Sequence, residues 1–175
     1  MEVLLSSDKI AGCVTALADE IASRTGSTDK IAIIGIRSRG EILAMRLCEK
    51  LSKSLKTEIP CGTLDITLYR DDINNPQGDS QPLVRSTEIG FDINEKVIIL
   101  VDDVLHTGRS TRAAMDALID FGRPKAIRLA VLIERTGREL PITADFAGLK
   151  IDLPVDKSVQ VNFVESDGQD RVIII

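Results

Sequence analysis

The 175-residue chain contains no tryptophan, one histidine and three cysteines. Cys13, Cys48 and Cys61 lie far apart and lack metal-ligand spacing, which predicts reduced thiols in a cytoplasmic protein. No apolar run reaches the roughly 18 to 20 residues of a membrane span, and the first residues lack the pattern of a signal peptide. The net charge of −5 is not that of a chain that is basic throughout. A local basic face could still bind RNA.

Short apolar runs separated by helical patterns determine the predicted fold. Residues 31–36, 97–101 and 126–133 are rich in β-branched side chains, as buried strands are. Strands that alternate with helices predict one α/β domain over residues 1–175, with a mostly parallel central sheet flanked by helices. Ligands of such sheets bind at the carboxyl ends of the strands, so we expect the site in that region.

Three helices are predicted from apolar residues at helical spacing. The first contains Ile10 to Ile21 and ends near Gly26. The second follows Gly40 and buries Leu43, Leu47 and Leu51. The third begins near Ser110 and places three apolar side chains on one face: Ala114, Leu118 and Phe121.

Alternating patterns predict further strands and a long loop. Leu64, Ile66 and Leu68 alternate with polar residues, as in a half-buried strand. The segments 159–163 and 172–175 predict a terminal hairpin around Ser166, Asp167 and Gly168. Residues 70–95 lack periodicity, which indicates a functional or disordered loop.

A strand that runs into two acids and a glycine turn is the most specific pattern in the chain. Asp102 and Asp103 follow the apolar run 97–101, and three hydroxyl residues surround Gly108: Thr107, Ser110 and Thr111. Unpaired N–H groups at the start of the next helix would bind an anion such as phosphate. The carboxylates suit sugar hydroxyls, a bound Mg²⁺ or a developing positive charge. A sugar phosphate satisfies all of these requirements.

The segment 97–111 resembles the phosphoribosyl pyrophosphate (PRPP) signature of the type I phosphoribosyltransferases. Over roughly residues 5–170 the chain resembles the PyrR family, through Gly35–Gly40, Asp65–Asp72 and Arg138-Glu-Leu-Pro141 as well as the PRPP segment. PyrR proteins are uracil phosphoribosyltransferases that also regulate pyrimidine operon messenger RNA. The resemblance implies a type I phosphoribosyltransferase fold, with a mobile loop at about 70–95 and a C-terminal hood at about 134–158.

The resemblance also implies a role for each part of the site. Asp102 and Asp103 would hold ribose, and Arg37, Ser38 and Arg39 match the pyrophosphate loop. Asp102, Asp103, Arg37 and Arg39 are the catalytic candidates. Further PRPP or UMP contacts would come from Arg70 and the phosphate turn: Val104, Leu105, His106, Thr107, Gly108, Arg109, Ser110 and Thr111. Uracil would enter the hood beside Arg135, Arg138 and Leu153.

The implied reaction converts uracil and PRPP to UMP and pyrophosphate, with Mg²⁺ held mainly by PRPP itself. The acid pair would favour positive charge at the glycosidic carbon, while the loop arginines and Mg²⁺ favour the departing pyrophosphate. Closure of the mobile loop would keep water away from PRPP. The family further implies a homodimer or a larger homo-oligomer.

Several residues depart from the PyrR pattern. His106 stands where relatives often carry tyrosine, and we interpret it as lining the phosphate turn or a base-stacking face. Gly137 replaces a histidine, and Asp19, Thr143 and Leu149 stand near positions where relatives carry basic or histidine side chains. Residues 144–175 contain six acids and three bases. These departures remove groups from surfaces that the family uses for RNA.

Three alternatives to a protein with both functions are open on the sequence. The chain could be a salvage-only uracil phosphoribosyltransferase, an RNA-binding UMP sensor with little turnover, or a phosphoribosyltransferase for another base. The intact acid pair and loop arginines favour activity, and the hood string favours uracil. Basic residues cluster around the second helix and near the third strand, where they could form a basic face, although a solvated surface is the favoured interpretation: Arg24, Lys30, Arg46, Lys50, Lys53 and Lys56, with Arg123, Lys125 and Arg128.

Overall fold

The computed structural model describes residues 2–25, 30–71 and 86–175. In chain order these residues form β1 (Glu2–Leu5), α1 (Ser7–Thr25), β2 (Ile31–Ile36), α2 (Arg39–Leu55), β3 (Cys61–Leu64), β4 (Val97–Leu105), α3 (Arg109–Ile119), β5 (Ala126–Arg135), β6 (Phe146–Ile151), β7 (Val159–Asn162), α4 (Val164–Asp167) and β8 (Arg171–Ile174). None of these helices is long and apolar enough to cross a membrane.

Five parallel strands form the central sheet, in the order β3-β2-β4-β5-β6. Every residue of β2 is buried, which explains why an unbroken apolar run forms this strand. The parallel sheet expected from the sequence is thereby confirmed. The run 97–101 extends to Leu105, and the run 126–133 extends to Arg135. The fifth strand, β6, lies within the residues expected to form the hood.

The two faces of the central sheet are covered by different helices. Alternate residues of β2, such as Ile31 and Ile33, pack with α1 and α2 in one apolar core. Ala32 and Ile34 point to the opposite face, where they pack with α3. This three-layer arrangement leaves the carboxyl ends of the strands as the edge at which polar side chains gather.

A second, antiparallel sheet joins the two ends of the sequence, in the order β1-β8-β7. The predicted terminal hairpin is confirmed, with the short helix α4 as its connection. Strand β1 was not predicted from the sequence. Val161 and Val172 of this sheet, with Phe163 directly after β7, pack into the same core as α1 and α2.

The predicted strand through Leu68 is wrong. Strand β3 ends at Leu64, and Thr67–Tyr69 forms a 3₁₀ turn in which Leu68 is 74% exposed. The carboxylate of Asp65 accepts hydrogen bonds from the backbone N–H and the hydroxyl of Thr67, at 2.9 and 2.5 Å. This local turn replaces the strand ladder.

One further expectation needs correction, and two others concern residues that the structure does not describe. Phe121 does not lie on α3, because the helix ends at Ile119, and 48% of Phe121 is exposed. The predicted helix end at Gly26 and residues 72–85 of the predicted mobile loop lie outside the described residues.

Candidate functional site

A polar cavity of about 260 Å³ lies where β2, β3 and β4 end. It brings together eight residues that the sequence analysis selected: Arg37, Ser38, Arg39, Arg70, Asp102, Asp103, Val104 and Ser110. Ile36, Asp65, Ile66 and Thr67 complete its lining. The cavity therefore lies at the sheet edge that the strand pattern predicts.

The paired acids lie within β4 rather than in the turn that follows it. Asp102 Oδ1 accepts the N–H of Asp103 at 2.9 Å, and Asp103 Oδ1 accepts the N–H of Val104 at 3.0 Å. Burial and the adjacent Asp103 carboxylate raise the pKa of Asp102 well above its ordinary value. Burial also raises the pKa of Asp103, although hydrogen bonds and the positive charge of Arg39 oppose that rise. Without ligand, both carboxyls therefore hold a proton to a higher pH than an ordinary aspartate does.

Helix α2 begins directly against the acid pair. A Cβ atom at Gly40 would lie 2.6 Å from the carbonyl oxygen of Val101 and 3.3 Å from Asp102 Oδ1. Only glycine permits this approach of helix and strand. The close packing sets the loop 37–39 beside the carboxylates, and Arg37, Ser38 and Arg39 line the same cavity as the acid pair.

The two loop arginines are each held by acids of the same chain. Arg37 pairs with Glu41 at 3.1 Å and Glu88 at 3.4 Å, and it donates to the Thr63 hydroxyl at 3.0 Å. Arg39 pairs with Asp167 at 2.9 Å. Within the described residues, the Nε atoms of both arginines are buried and have no hydrogen-bond partner. Such orphaned donors suit an incoming anion.

The phosphate turn ends in the left-handed residue Gly108, with φ +94°, and α3 starts at Arg109. The first N–H groups of α3 face the turn, as in other anion-binding helix termini. The side chain of Arg109 pairs with Asp71 at 2.5 Å and Glu139 at 2.7 Å. A smaller cavity of about 200 Å³ adjoins this turn, lined by Arg70, Asp71, Thr107, Arg109 and Ser110.

Residues 137–142 brace the phosphate turn. The backbone N–H groups of Glu139 and Leu140 both donate to the carbonyl oxygen of Thr107, at 3.0 and 3.1 Å. Arg138 donates to the carbonyl oxygen of His106 and, at 2.9 Å, to the carboxylate of Glu134. The string Arg138–Pro141 thus fixes the conformation of the turn by direct hydrogen bonds.

His106 lies against Gly137. An ideal Cβ at Gly137 would lie 2.6 Å from His106 Nε2, so any larger residue would displace the imidazole. Burial, together with Arg135 and Arg138, lowers the pKa of His106, and the ring is neutral at pH 7.

The remaining hood candidates lie around another cavity. The guanidinium of Arg135 is buried and donates to the carbonyl oxygens of Thr136, Pro154 and Lys157. The backbone N–H of Leu153 donates to the Thr136 hydroxyl at 3.1 Å. A cavity of about 360 Å³ lies here, lined by Glu134, Arg135, Thr136, Gly137, Arg138, Lys150 and Ile151. The structure therefore does not place Arg135 and Arg138 in the cavity of the acid pair.

Sequence reasoning did not select the acids that hold the site arginines: Glu41, Glu88, Glu134 and Asp167, together with Asp71 and Glu139 at Arg109. Glu41 is four residues beyond Arg37 and could have been found as a helical ion pair. Asp167 is separated from Arg39 by 128 residues, and no local pattern indicates that contact.

Several residues of the suggested basic face are ion-paired. Arg24 pairs with Glu20, Lys53 with Glu49, and Arg128 with Asp145 at 3.9 Å. Arg46 pairs with Glu165 and Asp170. Part of the basic charge is thus neutralised within the chain. Three of the neutralising acids, Asp145, Glu165 and Asp170, belong to the acidic segment 144–175.

The chain matches the Phosphoribosyl transferase domain family over residues 3–166. It is 49% identical to the Bifunctional protein PyrR of Deinococcus radiodurans, covering 97% of this chain and 91% of that protein. It is 46% identical to the Bifunctional protein PyrR of Bacillus cereus, covering 98% and 96%.

Two solved structures share this fold at low sequence identity. A hypoxanthine-guanine phosphoribosyltransferase from Bacillus anthracis superimposes with a TM-score of 0.70 at 18% identity, over 98% of this chain and 96% of that chain. A hypoxanthine phosphoribosyltransferase from Staphylococcus aureus gives a TM-score of 0.69 at 18% identity, over 98% and 90%. At such identity the likeness shows the fold alone.

Proposed function

The chain belongs to the phosphoribosyl transferase domain family, and we propose that it acts as PyrR proteins do, as a uracil phosphoribosyltransferase and as a UMP-responsive regulator of pyrimidine operon messenger RNA. It has the type I phosphoribosyltransferase fold. The observation that carries the proposal is the acid pair of β4, which shares one polar cavity with the arginine loop and the start of α3. The PyrR relatives match nearly the full chain, which supports both activities.

Each end of PRPP has a matching part of the cavity. The 5-phosphate would bind the N–H groups at the start of α3, near Thr107 and Ser110. The ribose hydroxyls would donate to Asp102 and Asp103. Pyrophosphate would bind the loop 37–39, where the buried Nε atoms of both arginines have no hydrogen-bond partner within the described residues.

The reaction exchanges one bond at the glycosidic carbon. Its bond to the pyrophosphate oxygen breaks, a bond to N1 of uracil forms, and the N1 proton is released. Positive charge develops on the sugar as pyrophosphate departs. The carboxylates of Asp102 and Asp103 would stabilise that charge, and the arginine loop would stabilise the negative charge of the leaving group. The brace on Thr107 keeps the phosphate turn in place throughout the reaction.

Mg²⁺ fits this cavity because carboxylates are oxygen donors of the kind it prefers. Among the residues that the structure describes, no cluster of three or more His, Cys, Asp or Glu side chains could hold a metal ion. We therefore propose that PRPP supplies most of the ligands, with Asp102 and Asp103 nearby. When bound, Mg²⁺ would neutralise charge on the pyrophosphate.

The first experiment is an activity assay with uracil, PRPP and Mg²⁺, following UMP formation, with hypoxanthine, guanine and orotate in parallel. We expect product from uracil alone, and loss of product in Asp103→Asn. Product from a purine would reassign the substrate. No product from any base, together with tight UMP binding, would replace the enzyme by a nucleotide-sensing regulator.

A second candidate, a salvage enzyme without RNA control, is favoured by the ion pairs of Arg24, Arg46, Lys53 and Arg128. Binding of a pyrimidine operon leader RNA, measured against salt with and without UMP, separates the two candidates. A regulator should bind with a salt slope that reflects several phosphate contacts, and UMP should change its affinity. Binding that is weak at all salt concentrations supports salvage alone.

Two properties complete the proposal. We propose a homodimer or larger homo-oligomer, as the family resemblance implies, which sedimentation would test. We also propose a cytoplasmic location, in agreement with the free thiols of Cys13, Cys48 and Cys61.

A further inference from the structure

We infer that Asp167, in the connection between β7 and β8, is a positioning residue for the pyrophosphate end of the site, and that it acts by holding Arg39 away from Asp103. This inference rests on the proposed function. It assigns a catalytic consequence to a part of the fold that lies outside the PRPP segment, the pyrophosphate loop and the hood.

The two oxygens of the Asp167 carboxylate have different partners: one is held within the connection, and the other binds Arg39. Its Oδ2 accepts the backbone N–H of Phe163 at 3.0 Å and the Ser166 hydroxyl at 2.6 Å. Its Oδ1 accepts Arg39 Nη2 at 2.9 Å. The hydrogen bonds from Ser166 and Phe163, with that from Arg39, lower the pKa of Asp167 to about 2. The group is therefore a fixed negative charge at every pH at which the protein works.

Arg39 has a competing acid close by. Arg39 and Asp103 line the same cavity, so their opposite charges attract each other. If Asp167 did not hold Arg39, an ion pair between Arg39 and Asp103 would be the nearest alternative. Such a pair would remove the arginine from pyrophosphate and a carboxylate from ribose. Asp167 thus keeps Arg39 available for pyrophosphate and the Asp103 carboxylate available for ribose at the same time.

The connection is attached to α2 independently of Asp167. Arg46, two helical turns beyond Arg39, pairs with Glu165 at 2.5 Å and with Asp170 at 2.8 Å. Its guanidinium also lies 4.8 Å from the centre of the Phe163 ring. Because these contacts do not involve Asp167, the effect of a substitution on Arg39 can be separated from detachment of the whole connection.

The test compares Asp167→Asn with Glu165→Gln. Asparagine has the shape of aspartate and an oxygen that can accept the Phe163 N–H, but it lacks the charge that holds Arg39. The control removes one charge from the same connection, on the side that holds Arg46. The measurements are the KM for PRPP, the KM for uracil, kcat, inhibition by pyrophosphate, and the thermal midpoint.

For Asp167→Asn we expect the KM for PRPP and the inhibition constant of pyrophosphate to rise about tenfold, which is the effect of losing one charged contact. The KM for uracil should not change, and Asp167→Glu should recover part of the loss. Glu165→Gln should lower the thermal midpoint without raising the KM for PRPP. An unchanged KM in Asp167→Asn, or equal increases in both variants, would overturn the inference.

Failure of the proposed function would look different, because the unmodified protein would then form no UMP. In that case calorimetric titration with pyrophosphate alone decides the inference. Weaker pyrophosphate binding in Asp167→Asn than in Glu165→Gln supports it, and equal binding in the two variants contradicts it.

Discussion

The proton on the acid pair determines how the site responds to pH. The folded protein holds a proton on Asp102 to a higher pH than the unfolded chain, since burial raises the pKa of this carboxyl. Ionisation above the ordinary aspartate range therefore lowers the stability of the ligand-free protein. Ribose hydroxyls that donate to the carboxylates stabilise the ionised form, so binding of PRPP should release a proton.

We predict that kcat/KM for PRPP decreases as pH falls through this raised pKa, well above the usual range of an aspartate. Asp102→Asn should remove that acidic limb and lower kcat about 100-fold, the scale of losing one preorganised electrostatic group. A pH–rate profile of the two proteins checks both statements. An acidic limb that persists in Asp102→Asn would assign the titration to another group.

The contact of His106 with Gly137 should make the protein sensitive to any side chain at position 137. Gly137→Ala should lower the free energy of unfolding by about 2 kcal/mol, since the new Cβ meets the imidazole and the residue has φ +108°. Gly168→Ala is the matched control, because its φ is +76° but nothing lies within 4 Å.

Urea denaturation of the two variants separates backbone strain from the clash. We expect the control to lose only the strain, about 1 kcal/mol. His106→Ala combined with Gly137→Ala should then recover the difference. Equal losses in Gly137→Ala and Gly168→Ala would mean that the imidazole moves aside freely.

Among the elements, the connection between β7 and β8 is attached to α2 by Arg46, a half-buried cation, as well as by the pair of Arg39 with Asp167. We predict that Arg46→Met lowers the free energy of unfolding by about 2 kcal/mol, because Glu165 and Asp170 lose a shared partner that is 20% exposed. Lys53→Met, which breaks an exposed pair of the same helix, should change it by less than about 0.5 kcal/mol. Thermal denaturation of both variants provides the measurement, and equal losses would contradict the assignment.

The sequence predicted elements best where burial is continuous along the chain. The runs within β2, β4 and β5 are apolar on both faces because helices cover both sides of the sheet, so their composition alone reveals them. The end of β3 was mispredicted because alternation continues past Leu64, while the Asp65 side chain turns the backbone locally. Strand β1 is short and, within the described parts of the chain, pairs only with distant β8, which no local pattern can indicate.

At the scale of the whole molecule, the candidate site is built from many elements. The cavity is lined by residues that follow β2 and β3, and by parts of β4, α2 and α3, so PRPP should bind only the folded chain. We predict that PRPP with Mg²⁺ at 100 times its Kd raises the free energy of unfolding by about 2.7 kcal/mol. Thermal shift measurements check this, and Asp103→Asn should abolish most of the shift. Stabilisation by uracil alone would indicate a base site formed without PRPP.

The position of each site residue along the chain determined whether it could be predicted from the sequence. Asp102, Asp103 and the phosphate turn are contiguous in sequence, so a single segment displays their chemistry. The loop 37–39 was found because an arginine pair follows a buried strand. The acids that orient these arginines come from other parts of the chain, and only the fold brings them together: Glu88 and Asp167. The net charge of the chain did not indicate these contacts either, because acids and arginines that form ion pairs with each other contribute nothing to it.

The pairing of β1 with β8 has a consequence for biosynthesis. On the ribosome, β1 emerges first and must wait for nearly all of the remaining chain before its partner strand exists. The central sheet can form earlier, since its strands lie between residues 31 and 151. Asp167 emerges later still, so a nascent chain can contain the acid pair and phosphate turn while Arg39 has no partner. Catalytic competence should therefore appear late in translation, after the sheet has formed.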